Sequence, residues 1–337
     1  MSRAVAFSPR FYSLLLLTFT IFSTGSFAQT SLGDVHVVSR ERSVIGEKPA
    51  DGRPLRSGLN LIRSSVELVM VPVTITDGLN RPVVGLEQEN FQLFENRKPQ
   101  EIKHFSIEDS PVSIGIIMDA SGSMTEKLER VREAVHQFCE TANPQDEFFM
   151  ITFANEPRLA ADFTDRPEEI ENAMLGIQPK GSTSLLDAIY MGVRKMKDAR
   201  YARRALLILS DGGDNHSRYN ERDVKRAVKE TDVLIYAVGT YDTHFTTREE
   251  VLGPELLSEV SEVTGGEAYT LDNVREMPAV TRAIGNRLRH QYMIAYRPLT
   301  RQKDGKWHKI NVKLLLPKKL WPFLRVDART GYYAGSE

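Results

Sequence analysis

Gly115-Ile-Ile-Met-Asp-Ala-Ser-Gly-Ser123 is an apolar run that ends in a carboxylate, with two hydroxyls following at alternate positions. A short, continuous apolar stretch with β-branched residues reads as a strand buried on both faces. Carboxylate and hydroxyl oxygens grouped where such a strand stops suit a hard divalent cation.

Downstream of Ser113 the pattern alternates. Strands are expected at 113–119, 148–153, 205–210 and 233–238, and helices at 125–141, 185–197, 221–230, 255–264 and 274–290. Buried strands separated by helices predict an α/β fold: a doubly wound, mostly parallel sheet covered on both faces. Ligands of such sheets bind beyond the carboxyl ends of the strands, where Asp119 and Asp211 both fall. Leu128, Val131, Val135 and Phe138 form a helical apolar stripe, and the lone Cys139 beside it reads as a small buried hydrophobe.

The flanks have a different character. Residues 69–76 and 91–94, with turns at Asp77-Gly78 and 95–98 and a further strand through Ile102 and Phe105, predict a small antiparallel β module over 61–110. Pro72 argues for an edge strand or a bulge. Residues 291–297 and 309–316 read as strands joined through Asp304-Gly305, with a short third near 325–333. Two strands are marginal alone, so the tail 291–337 is expected to pack with the N-terminal module. The α/β part, 111–290, would then be inserted in, or flanked by, β structure.

The N-terminus reads as an export signal over 1–28. Arg3 and Arg10 precede the apolar segment 11–22, and Ser26-Phe27-Ala28 offers small residues for cleavage. Residues 29–60 read as a flexible arm. The implied location is secreted or periplasmic, with membrane contact only if the signal stays uncleaved. Of 337 residues, 41% are hydrophobic and 26% charged, and the net charge is −1. That balance is globular and has no basic tract for nucleic acid.

Three segments can meet at the carboxyl edge: Asp119-x-Ser121-x-Ser123, Gly181-Ser182-Thr183-Ser184 and Ser210-Asp211-Gly212-Gly213. The hydroxyls of Ser121, Ser123 and Thr183 can each donate a lone pair. Asp119 and Asp211 supply negative charge, directly or through water. Magnesium takes six oxygens at about 2.1 Å and often keeps waters, so it is the cation expected, with Ca2+ or Mn2+ also compatible. Two carboxylates only neutralise a dication, which leaves it attractive to an Asp or Glu of a protein partner. Ser123-x-x-Glu126 also has the spacing of a capping box.

These residues resemble a von Willebrand factor type A domain, specifically the exported bacterial group of proteins related to it. The resemblance implies a doubly wound sheet over about 112–290 and a metal ion-dependent adhesion site. It further implies that Ser121, Ser123 and Thr183 coordinate directly, with Asp119 and Asp211 often acting through water. A binding module is therefore expected rather than an enzyme. A structural envelope component with a stabilising metal, and a metal-assisted hydrolase, stay open as alternatives. For hydrolysis no acid or base can be assigned, and Gly-x-Ser-x-Gly, His-Glu-x-x-His and the nucleotide-binding Gly-x-x-x-x-Gly-Lys-Ser/Thr patterns are absent.

Other polar groups near these segments are expected to be solvated loops: His216, the glycosylation-like Asn215-His216-Ser217, and Asp242 with His244. Trp307 and Trp321 are expected to pack in the β tail.

Overall fold

The computed structural model describes residues 68–107, 109–211, 213–240, 248–298, 304–317 and 323–334. The readings made for 1–28, 29–60, Gly212, Asp242, His244 and Trp321 lie outside them.

A six-stranded sheet forms the centre. It contains β5 (Val112–Asp119), β6 (Glu147–Phe153), β7 (Pro157–Thr164), β8 (Arg203–Ser210), β9 (Val233–Thr240) and β10 (Ala268–Leu271), in the order β10-β9-β8-β5-β6-β7. All pairings are parallel except β6 with β7. Every residue of β5 and of β9 is buried, the signature of strands covered on both faces. One face is covered by α1 (Leu128–Cys139) and α6 (Met277–Arg289), packed on Ile114, Ile116 and Met118. The other carries α3 (Leu185–Lys195), α4 (Glu221–Lys229) and α5 (Arg248–Thr264), packed on Ile117, Phe149 and Ile208. Each such aliphatic side chain, fully withdrawn from water, contributes about 1.5–3 kcal/mol.

The predicted apolar stripe of α1 is buried, together with Cys139, whose thiol is pushed up to about 12 by burial. Three elements had no counterpart in the sequence reading: β7, β10 and α2 (Pro167–Leu175). β7 reads Pro-Arg-Leu-Ala-Ala-Asp-Phe-Thr, with little β-branched content, and pairs with β6 through two register shifts. Its strand state comes from its neighbour rather than from its own propensity.

The flanking strands build two four-stranded sheets. One has the order β13-β1-β11-β4, from β1 (Val69–Asp77), β4 (Ile102–Ser106), β11 (Tyr292–Tyr296) and β13 (Leu324–Ala328). The other has the order β14-β12-β2-β3, from β2 (Phe91–Glu95), β3 (Lys98–Gln100), β12 (Trp307–Leu314) and β14 (Gly331–Tyr333). Val71, Val73 and Ile75 of the first share a core with Leu93, Ile310 and Val312 of the second.

Two expectations are corrected here. β1 is an interior strand, not an edge. Pro72 is tolerated because β13 pairs only with Val73–Asp77, so at Pro72 the strand has β11 alone as a neighbour. β11 and β12 do not pair with one another but belong to different sheets, because each finds an N-terminal partner, β1 and β2 respectively.

The β strands meet the amino edge of the central sheet. Met70, Pro72, Met293 and Trp307 line one cavity with Val112, Arg203 and Val233, the first residues of three central strands or close to them. Polar clamps reinforce this junction. Arg287 of α6, 1% exposed, pairs with Glu267, which also takes Arg325 of β13, and Arg329 pairs with Asp232. At Gly266 an added Cβ would fall 1.9 Å from the Ile235 carbonyl oxygen. Gly266→Ala is therefore expected to cost about 3 kcal/mol in urea denaturation. Gly78→Ala, where nothing lies within 4 Å, is expected to stay within about 0.5 kcal/mol.

Candidate metal centre

The site follows from the register of β5 against β8. Met118 pairs with Leu209, so the next residues, Asp119 and Ser210, end adjacent parallel strands at the same height. The chain leaves β5 for β6 on one side and returns to β8 on the other. That reversal opens a crevice at the carboxyl edge.

Asp119 is fully buried. Its Oδ1 accepts the Ser121 backbone N–H at 2.8 Å and its Oδ2 accepts the Ser210 hydroxyl at 2.7 Å. Burial pushes its carboxyl up to about 6 and the neighbouring Asp211 adds to the rise, while the Ser121 and Ser210 bonds pull the other way. Such a carboxylate gains from a nearby cation. Asp211 accepts the Ser123 hydroxyl on Oδ1 at 2.8 Å.

Ser121 and Ser123 lie with their hydroxyl oxygens 3.1 Å apart. Neighbouring ligands of an octahedral ion at about 2.1 Å stand about 3.0 Å apart, so this spacing fits two ligands of one small cation. Ser121 is buried and Ser123 exposed, which sets one hydroxyl inside the crevice and the other at its mouth.

The Ser123-x-x-Glu126 capping box is not formed, which corrects that expectation. Residues Gly122–Glu126 form a 3-10 turn and the N-cap of α1 is Lys127. The Ser123 hydroxyl is drawn instead to Asp211 and Ser121.

The Thr183 segment is tied to this loop through the backbone. The Gly122 amide donates to the Gly181 carbonyl at 3.1 Å and the Lys180 amide to the Ala120 carbonyl at 2.9 Å. Gly181 has φ +91°, and a Cβ there would approach Asn155 Oδ1 to 2.5 Å. Asn155 Oδ1 accepts the Ser182 amide, and Asn215 Oδ1 accepts the Thr183 amide, both at 2.8 Å. Thr183 is 6% exposed, and no direct side-chain bond joins it to the other four candidates among the described residues.

Asn155, Asp187, Asp214 and Lys127 were missed in the sequence reading. Asp214 accepts the Leu186 amide at the start of α3, and Asp187 accepts the amides of Arg218 and Tyr219 at 2.9 Å each. Lys127 pairs with Asp211. Asp214, three residues past Asp211, and Asp187, in the first turn of a helix, carried weak signals, since acids are common at both kinds of place. Asn155 had no signal. On the β6 side a 270 Å³ cleft lined by Ala120, Asn155, Glu156, Arg158 and Lys180 adjoins the turn.

Among the described residues no three His, Cys, Asp or Glu side chains gather as a metal site. The candidate set has only two carboxylates, so an ion here depends on hydroxyl oxygens, a donor set that suits Mg2+ and not a soft metal.

A family model described as von Willebrand factor type A domain matches residues 114–213. The chain contains a von Willebrand factor type A domain. The chain is similar to part of the inter-alpha-trypsin inhibitor heavy chain H4 of Bos taurus, 26% identical over 137 residues, 37% of this chain and 15% of that protein. The chain therefore spans a small part of the curated relative's length. Among solved structures, a von Willebrand factor type A protein from Catenulispora acidiphila is 13% identical with TM-score 0.47, covering 81% of this chain and 64% of that one. The mussel byssus proximal thread matrix protein 1, solved with a zinc-occupied MIDAS motif, is 17% identical with TM-score 0.44, covering 58% and 49%.

Where the candidate centre takes Mg2+, Asn155→Ala is expected to raise its dissociation constant about tenfold, as loss of a group supporting metal ligands does, while the thermal melt stays close to wild type. Calorimetric titration with MgCl2 checks the first and circular dichroism the second.

Proposed function

We propose that the A domain is a divalent-metal-dependent protein-binding module, acting in adhesion or interaction at the cell exterior or envelope. In this reading Ser121, Ser123 and Thr183 hold Mg2+ through their hydroxyls, and Asp119 and Asp211 supply the balancing charge. The observation that carries it is the pair of serine hydroxyls 3.1 Å apart beside two buried carboxylates. When bound, Mg2+ supplies positive charge and an open coordination position for an outside carboxylate.

The chain's own residues do the rest. Ser123 donates its proton to Asp211, which leaves its lone pairs for a cation. Asp119 holds the Ser121 amide and so fixes the turn that carries both serines. Exposed His216 is held beside the site, its amide donating to the Thr183 carbonyl at 3.1 Å, and the 270 Å³ cleft beside Ala120 has room for a residue flanking the partner's acid. The partner is thus a protein presenting Asp or Glu.

Catalysis is not the reading favoured, because both carboxylates are already engaged, Asp119 by the Ser121 amide and the Ser210 hydroxyl and Asp211 by the Ser123 hydroxyl and Lys127, and general acid–base work needs a group placed to pass a proton to a substrate. The export-signal pattern over 1–28 supports a secreted or periplasmic place of work. Among the described residues no helix is long and apolar enough to cross a membrane.

Wild-type protein is expected to take up Mg2+ in titration calorimetry, and Asp119→Ala to take up none while keeping a cooperative melt. Capture of partners on immobilised protein should need Mg2+, be lost in EDTA, and weaken in Thr183→Ala. Equal capture with Mg2+ and EDTA by folded protein would reject the reading. A stability loss in Asp119→Ala with capture intact would instead make the metal purely structural.

A further inference from the structure

The Asp211 side chain is wholly buried, yet both its oxygens are taken. Oδ1 accepts the Ser123 hydroxyl at 2.8 Å and Oδ2 accepts Lys127 Nζ at 2.6 Å. Lys127 is no loose surface lysine. It is the N-cap residue of α1, one position beyond the 3-10 turn that begins at the metal-facing serines. The length of that turn sets its ammonium on Asp211, and its side chain keeps only 26% exposure. The ion pair therefore places a fixed positive charge in contact with one of the two carboxylates that would balance a cation.

Resting on the metal-dependent reading above, we infer that Lys127 sets the charge of the site, weakening uptake of the cation alone and making uptake of cation and partner carboxylate mutually reinforcing. Two carboxylates cancel a dication, and Lys127 then leaves the loaded site with one net positive charge. That charge lies in a largely buried crevice, where it is screened far less than at an open surface. It repels an incoming dication, and it attracts an anion once the dication is in place. Because such coupling is reciprocal, an anion that is bound more tightly with metal must tighten the metal in turn.

The pair also gives Asp211 a defined task. With Oδ2 committed to Lys127 and Oδ1 to Ser123, Asp211 positions the Ser123 oxygen and lends charge without needing to touch the ion. Lys180 makes a useful contrast. It is exposed and lines the neighbouring cleft, with no ion pair to Asp119 or Asp211 among the described residues.

The test is titration calorimetry of the full chain with MgCl2 at constant ionic strength, with and without sodium acetate as the carboxylate probe. Lys127→Met is expected to bind Mg2+ alone about tenfold more tightly than wild type. Acetate should tighten Mg2+ binding in wild type and in Lys127→Arg, and do so clearly less in Lys127→Met. Lys180→Gln, which removes a nearby charge paired to neither aspartate, should change Mg2+ binding less than Lys127→Met. In EDTA, Lys127→Met should melt lower than wild type, because Asp211 is left buried without its partner. Lys127→Gln keeps a hydrogen-bond donor on Asp211 and gives the same binding comparison should the Met variant not fold.

Equal or weaker Mg2+ binding by folded Lys127→Met and Lys127→Gln, with wild type binding normally, overturns the role of Lys127 alone. Equal enhancement by acetate in all variants does the same. No Mg2+ uptake by any variant, wild type included, removes the metal reading and this inference with it.

Discussion

The buried carboxylate of Asp119 constrains the rest of the site. Burial disfavours its charge, and Asp211 close by disfavours it further. A bare carboxylate in that setting would be costly, and two hydrogen bonds, from the Ser121 amide and the Ser210 hydroxyl, offset part of the cost. Those same bonds dictate the loop geometry. The Ser121 bond turns the chain sharply after β5, and the Ser210 bond locks the end of β5 to the end of β8. The other turns are then pinned in sequence: Gly122 to Gly181, Lys180 to Ala120, and Thr183 to Asn215. Each pin satisfies a backbone amide, of Gly122, Lys180 or Thr183, that no sheet ladder or helix partners.

The flanking strands stand at the opposite end of the central sheet from that crevice. Their contacts are with strand starts, such as Val112 and Val233, whereas Asp119 and Ser210 are strand ends. The chain passes from β4 into β5 and from α6 into β11, so it crosses this junction twice. Interleaving β1 with β11 and β13, and β2 with β12, closes the N- and C-terminal segments into shared sheets. Arg287, Glu267 and Arg325 then join α6, the approach to β10 and β13 in one ionic group. A buried arginine with its partner removed is expensive, so this group specifies the docking of the two layers whatever its net contribution. Among the described residues, the flanking strands thus lie away from the turns proposed to hold a cation.

Much of this was legible in the sequence because the decisive signals were local. β5, β8 and β9 announce themselves as continuous apolar runs, and α1 by its stripe of Leu128, Val131, Val135 and Phe138. The three oxygen-rich turns could be assigned to one edge as soon as the strands were taken to be parallel. What escaped depended on contacts distant in sequence. β7 is a strand because β6 lies beside it, and β10 because β9 does. Pro72 pointed to an edge because proline removes a ladder donor, but half of an interior strand can lack a second neighbour. Ser123 had the spacing of a cap and was taken by an acid 88 residues away. Asn155 is invisible for the same reason: a single amide oxygen that meets Ser182 only after folding. Lys127 escaped too, since nothing local marks a lysine as the partner of a buried aspartate.

In the proposed reading, the balance of oxygens is what would turn this geometry toward recognition. A third or fourth carboxylate would hold a dication more tightly and also quench its charge, leaving little to attract anything else. Hydroxyls contribute lone pairs without charge. They are also cheaper to bury than carboxylates, which matters in a crevice where Asp119 already sits without solvent. The strand ends supply two acids, the turns supply three hydroxyls, and the register of β5 against β8 brings the two acids together. A site composed this way gives up metal affinity and keeps electrostatic demand. That demand would be met most fully by a carboxylate carried on another molecule, so in the proposed reading the ion and the partner each supply what the other lacks.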